Sequence, residues 1–232
     1  MKLSLPNITV CALLLSNLAF TSQSIANTFN TNDLTSTQDL VKAGEKYITL
    51  LGNQVNVGEK APNFKVVDNN FAPVSLSDFT GQTLLISVVP SLDTGLCAIQ
   101  TKRFNEESAK LAKNITILTI SNDLPFAQKR FCKTEGIDTI KVLSDSVWRE
   151  FGTAYGLLIK DMGILTRAIL IINPEGEIVY KDLVKNISQH PDYATALTKV
   201  KNIAPVMLLE EANIVGEAAE SIVDESKNFS KQ

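Results

Sequence analysis

The 232-residue sequence predicts an α/β protein with a central mixed, largely parallel sheet and an added N-terminal β-hairpin. Residues 83–90, TLLISVVP, carry no charge, as a strand covered on both faces requires. After them, apolar β-branched runs alternate with amphipathic stretches, the pattern of strands joined by crossover helices. Toward the end, RAILIINPEGEIVYKDLV (167–184) sets two apolar runs around Asn173-Pro174-Glu175-Gly176. That is a turn sequence, so the sheet closes on an antiparallel hairpin.

The first 26 residues form a secretory signal peptide pattern. Met1-Lys2 is a short positive start, Ile8 to Phe20 is an apolar stretch of 13 residues, and Ser24-Ile25-Ala26 offers small residues at −3 and −1 of a cut after Ala26. The stretch falls short of the roughly 20 residues that span a bilayer, so no stable membrane insertion is expected after cleavage. An exported chain is expected in the periplasm or outside the cell. Residues 27–44 are mostly polar and predict a flexible linker. A single folded domain would then occupy 45–204, opening with a hairpin over 47–58 turned at Gly52-Asn53. A short strand and a polar turn follow over 59–70.

Past the strand at 83–90, a helix is expected from about Thr94 to Lys113, with Cys97, Phe104, Ser108 and Leu111 on one stripe. Residues 114–121 read as the next strand. Pro125 suits the first position of a helix and Gly136 its end. Residues 139–144 predict a strand, 147–156 a short helix, and His190 to Ala204 a last helix, for which His190 is given a capping or packing role. The order is that of a thioredoxin-like layout with an added hairpin. Residues 205–232 carry six acids and two lysines, with Leu208, Ala212, Val215, Ala219 and Ile222 at helical spacing. They predict an acidic amphipathic extension that docks on the body or on another subunit.

Composition excludes several functions. A net charge of −3 argues against nucleic acid as the main partner. One histidine rules out a histidine-cluster metal site, and three cysteines without a C-x-x-C rule out a zinc ribbon or vicinal dithiol. Cleavage would remove Cys11 and leave Cys97 and Cys132. In an exported protein such a pair commonly forms a structural disulfide. The two positions are nevertheless unequal. Cys97 falls in the first turn of its helix, where free backbone N–H groups and the helix dipole favour an anionic sulfur, the nucleophilic form. Thr94 lies three residues earlier and can reach the same pocket. Cys132 falls near a helix C-terminus among Gln128, Lys129, Glu135 and Gly136, a polar face. This suggests one thiol that attacks and one that answers, although a structural disulfide between the two helices remains compatible with the same positions.

The stretch PSLDTGLC carries Pro90, Thr94 and Cys97 in the P-x-x-x-T-x-x-C pattern, which resembles the peroxiredoxin active-site motif. GNQVNVGEKAPNF, VSLSDFTG, QTKRFNEESAKL, SNDLPFAQKRFC and FGTAYGLLIKD narrow the likeness to bacterial thiol peroxidases, the atypical two-cysteine peroxiredoxins, over about residues 47–200. The resemblance implies that Cys97 is the peroxidatic nucleophile, Thr94 orients the peroxide, Pro90 shields the sulfur, Arg167 stabilises charge, and Cys132 resolves a sulfenic acid as an intramolecular disulfide. It further implies hydrogen peroxide and organic hydroperoxides as substrates, a thioredoxin-like reductant, a homodimer, and no cofactor. One departure stands out: the residue after Thr94 is often proline in this family and here is Gly95. Glycine frees the backbone at the helix start, so easier local unfolding is expected. A redox sensor and an exported thioredoxin-like protein with a structural disulfide are the alternatives.

Overall fold

The structure, a computed structural model, describes residues 31–203; the expected signal peptide and the C-terminal extension lie outside the described residues. A short 3-10 turn at Thr31–Asp33 leads into β1 (Ser36–Ala43) and β2 (Lys46–Leu51). Then come β3 (Lys65–Val67), β4 (Pro73–Ser75), a 3-10 turn at Leu76–Phe79 and β5 (Thr83–Val88). The alternating part follows: α1 (Gly95–Ser108), β6 (Ile115–Ser121), α2 (Pro125–Glu135), β7 (Lys141–Ser144) and α3 (Glu150–Ala154). The chain closes with β8 (Leu158–Ile159), β9 (Ala168–Ile172), β10 (Ile178–Leu183) and α4, helical over 193–203.

Seven strands form the main sheet in the order β10-β9-β5-β6-β7-β3-β4. The sheet is mixed. Its parallel part is the central trio β5–β6–β7, joined by α1 and α2 as crossovers, and the flanking strands run antiparallel. Every residue of β5 is buried, as its charge-free sequence requires. Side chains alternate between faces along a strand, and the core divides accordingly. Leu84, Ile86, Val88, Leu118, Ile120 and Leu170 face Phe64, Phe151 and Tyr155. Leu85, Ile117, Ile169 and Ile171 face Phe104 of α1 and Tyr193, Ala196 and Val200 of α4. On the first side Phe151 stacks on Tyr155 at 4.6 Å and meets Phe64 edge-on at 5.2 Å, while Tyr155 Oη donates to Pro62 O, pinning α3 to the chain before β3.

The N-terminal hairpin is present but displaced from its expected place. Residues 36–43 of the expected linker form β1, which pairs antiparallel with β2 in a small sheet completed by β8. Its turn is Gly44-Glu45, with Gly44 at φ +62°. Only Val41 of β1 is buried. The strand is therefore polar by composition and held by backbone pairing, which composition does not register. Gly52 is not a hairpin turn. It passes so close to α3 that a Cβ would lie 1.9 Å from Thr153 O, at φ +102°. The hairpin also reaches the rest of the fold, because Lys42 N donates to Lys185 O and Ile187 N to Lys42 O.

Helix α1 ends at Ser108, short of the expected Lys113. Tight i→i+3 bonds from Lys110 and Leu111 turn the chain toward β6. Helix α3 is likewise shorter than the expected 147–156. At α4, Asp192 supplies the cap, accepting from Thr195 N at 3.0 Å and from Thr195 Oγ1. His190 instead meets Tyr193 Oη at 2.7 Å.

Candidate active site

Strand pairing assembles the site. Val88, the last residue of β5, lies opposite Ala168 of antiparallel β9 and beside Ile120 of parallel β6. Arg167 therefore sits next to the loop that leaves β5 at Pro90. The segment Ser121–Asp123 lies on the other side of the same loop.

Cys97 is the third residue of α1 and is fully buried. Thr94 is the N-cap residue, extended at φ −104° and ψ 140°, but its hydroxyl caps no helix N–H. It donates instead to Ser91 O at 2.9 Å, and Thr94 N donates to the same carbonyl. The first-turn amides of α1 are thus left without a side-chain cap, which favours a negative charge near Cys97. Thr94 itself is exposed, whereas Pro90 is buried.

Arg167 is 2% exposed and holds three acceptors. Nη2 donates to Cys97 Sγ at 3.4 Å, Nη1 to Gln100 Oε1 at 2.7 Å, and Nε to Ile187 O at 3.0 Å. No carboxylate pairs with this buried guanidinium among the described residues. A buried charge without a partner is costly; of the three acceptors that Arg167 hydrogen-bonds, the Cys97 sulfur is the one that can carry negative charge. Gln100 is itself fixed, donating from Nε2 to Ser87 Oγ of β5 at 2.8 Å. Gln100 and the Ile187 carbonyl were absent from the sequence-based site. Gln100 was within reach, one helical turn from Cys97 on the buried face.

Cys132 lies in the last turn of α2. Gly136 ends the helix in the left-handed region at φ +66°, and the amides of Gly136 and Ile137 both donate to Cys132 O. This reversal lays Ile137 over the helix end. Cys132 is therefore half-buried in one apolar cluster with Cys97, Val89, Leu92, Ile137 and Val142. The polar face expected from helical spacing does not describe its surroundings, because the covering residues come from beyond the helix. Burial pushes the Cys132 thiol above its ordinary value of 9.0, opposed in part by a backbone hydrogen bond. Lys129 is turned elsewhere, its Nζ donating to Asn70 Oδ1. Both thiols are free. Cys132 also lines a cavity of about 600 Å³, together with Asp68, Asp138 and Lys141.

The fold agrees with the comparisons. The Redoxin family matches residues 56–197. A thiol peroxidase of Halalkalibacterium halodurans is 50% identical over 154 residues, covering 66% of this chain and 92% of that protein. One of Bacillus subtilis is 44% identical over 154 residues, with the same coverage of both proteins. Among solved structures, a peroxiredoxin-like protein from Aquifex aeolicus superposes with a TM-score of 0.67 at 36% identity, covering 72% of this chain and 98% of its own. A thiol peroxidase from Chromobacterium violaceum gives 0.60 at 22% identity, covering 75% and 96%, a likeness of fold. With a buried cysteine on a helix start, an arginine on its sulfur and this degree of identity, the chain belongs to the Redoxin family, among the bacterial thiol peroxidases of the thioredoxin-like superfamily.

Proposed function

We propose that this thiol-dependent peroxidase works through Cys97 and Cys132, on hydrogen peroxide and organic hydroperoxides. The observation that carries the assignment is the buried Arg167 guanidinium, 3.4 Å from Cys97 Sγ and without a carboxylate partner among the described residues. A purely structural cysteine has no use for such a neighbour.

The Cys97 thiolate attacks the terminal peroxide oxygen. The O–O bond breaks, its electron pair leaves with the alkoxide or hydroxide, and that group takes a proton to give alcohol or water. Arg167 stabilises the negative charge as it moves from sulfur to the leaving oxygen. Pro90 keeps water from the sulfur, and Thr94 orients the peroxide. Cys97 is left as a sulfenic acid. Cys132 sulfur then attacks Cys97 Sγ, water leaves, and an intramolecular disulfide forms. An external dithiol of thioredoxin-like chemistry returns both thiols and takes the oxidation onto itself. The protein acts as a homodimer in the periplasm or outside the cell, after cleavage of residues 1–26; the signal pattern supports the location. An oxidising compartment lacks a general pool of reduced thiols, so a dedicated exported reductant is required.

The test uses the chain from Asn27 onward, reduced, then mixed with stoichiometric hydrogen peroxide or cumene hydroperoxide. Wild type should lose both thiols without an adduct. Cys97→Ser should consume no peroxide. Cys132→Ser should consume one equivalent and leave a sulfenic acid that a dimedone probe traps. Wild-type rates in Cys97→Ser would overturn the assignment.

A further inference from the structure

The loop between Pro90 and Thr94 is held from one side by a single carboxylate. Asp123 Oδ1 accepts from Ser91 Oγ at 2.7 Å, and Oδ2 accepts from Leu92 N at 2.7 Å and Ser121 Oγ at 2.8 Å. Ser91 O in turn accepts both the N–H and the hydroxyl of Thr94, the residue that starts α1. A continuous hydrogen-bonded path therefore runs from Asp123 through Ser91 to Thr94 and the turn that carries Cys97.

The carboxylate is anchored on its own side as well. Asp123 O accepts from Ser144 Oγ at 2.6 Å, at the end of β7. Ser121 Oγ accepts from Gln128 Nε2 at 3.0 Å, and Gln128 also donates to Leu143 O. Gln128 belongs to α2, which begins two residues after Asp123 and carries Cys132. One side chain thus links the nucleophile's loop to the base of the resolving helix. Hydrogen bonds to an ionised acceptor are about twice as strong as neutral ones, so this loop has a strong clamp in a segment otherwise free of regular pairing.

We propose that Asp123 is a positioning residue that sets the balance between the two thiol steps. Closed, the clamp holds Thr94 and the first turn of α1 where Cys97 faces Arg167 and reacts with peroxide. Disulfide formation needs the two sulfurs within bonding distance, about 2.05 Å, and both are free thiols in the clamped structure. Opening the loop away from Asp123 releases the turn so that Cys97 can meet Cys132. The clamp therefore speeds the first step and restrains the second. This rests on the roles given above to Cys97 and Cys132.

The experiment compares wild type with Asp123→Asn, Asp123→Ala and Ser91→Ala. Ser91→Ala removes one bond and leaves the carboxylate and its other partners in place, so the test survives if an Asp123 variant fails to fold. Rapid-mixing measurements give the rate of Cys97 oxidation and, separately, the rate of disulfide formation from the sulfenic acid. Mass spectrometry at excess peroxide gives the fraction of Cys97 carried on to sulfinic acid, by a second peroxide that leaves as water or alcohol. The expected result is oxidation slowed and disulfide formation accelerated, each by about tenfold in Asp123→Ala. Ser91→Ala and Asp123→Asn should fall between that variant and wild type, with less sulfinic acid in all three. A merely structural residue would slow both steps or leave their ratio unchanged, and either outcome overturns the proposal. Failure of the underlying roles is distinguishable, since it appears in the Cys97→Ser and Cys132→Ser proteins with Asp123 intact.

Discussion

Replacing Arg167 should separate catalysis from stability. In Arg167→Met the chain loses three hydrogen bonds, to Cys97 Sγ, Gln100 Oε1 and Ile187 O. Two neutral acceptors are then orphaned, at about 1–3 kcal/mol each. Against this, a buried cation with no carboxylate partner among the described residues is removed, and its desolvation costs several kcal/mol. The opposing effects should leave net stability within about 2 kcal/mol of wild type. The rate has no such compensation. Removing a preorganised donor aimed at developing charge costs about 10²–10³ in rate. Arg167→Lys keeps the charge but not the planar fork that spans three acceptors, so it should recover only part of that loss. The assay is single-turnover oxidation of reduced protein by peroxide, followed by acid-quenched thiol counts, with thermal melts in parallel. If Arg167→Met oxidised within about threefold of wild type while folding normally, the transition-state role of the guanidinium would be untenable.

Gly95 and Asp145 offer two independent tests. Gly95 is the first residue of α1, a Cβ there meets nothing within 4 Å, and Thr94 already has the extended backbone that a following proline demands. Gly95→Pro should therefore stabilise the fold by about 0.4–1 kcal/mol and slow disulfide formation; equal resolution rates by stopped flow would defeat the idea that glycine eases unwinding. Asp145 is fully buried, accepting from the amides of Phe151 and Gly152 at 3.0 and 2.8 Å. Burial pushes its carboxyl from 3.8 up to about 7, outweighing those bonds. The folded state then holds the proton more tightly than the unfolded one. Its contribution is fully present below pH 3.8 and is lost as pH rises through about 7. Wild type should lose melting temperature relative to Asp145→Asn across that window, and parallel pH profiles would contradict it.

Much of the domain was legible from local pattern. The run at 83–90, the helix begun after Thr94, the strand at 114–121 and the Pro125–Gly136 helix all appear within a few residues of expectation. Each is set by neighbours one or two turns away. The errors share a cause. The strand at 36–43 has one buried residue and exists because β2 pairs with it. Gly52 is required by the approach of Thr153, a contact about a hundred residues distant in sequence. Cys132 looked polar on its helix because Ile137, which covers it, arrives only after the chain reverses at Gly136.

By itself, the sequence determined the alternation of strands and helices from β5 to β7 and the placement of Cys97 on a helix start, because hydrophobic period, turn residues and caps act over short spans. It marked Pro90, Thr94, Cys132 and Arg167 through likeness to a family. Only the tertiary structure decided that Arg167 meets Cys97, that Gln100 and Ile187 O share its guanidinium, and that Asp123 grips the loop between them. Those contacts depend on Val88 lying opposite Ala168 and beside Ile120 in the sheet. Strand order and register come from burying both faces of β5 at once, a constraint that belongs to the whole core and to no single segment.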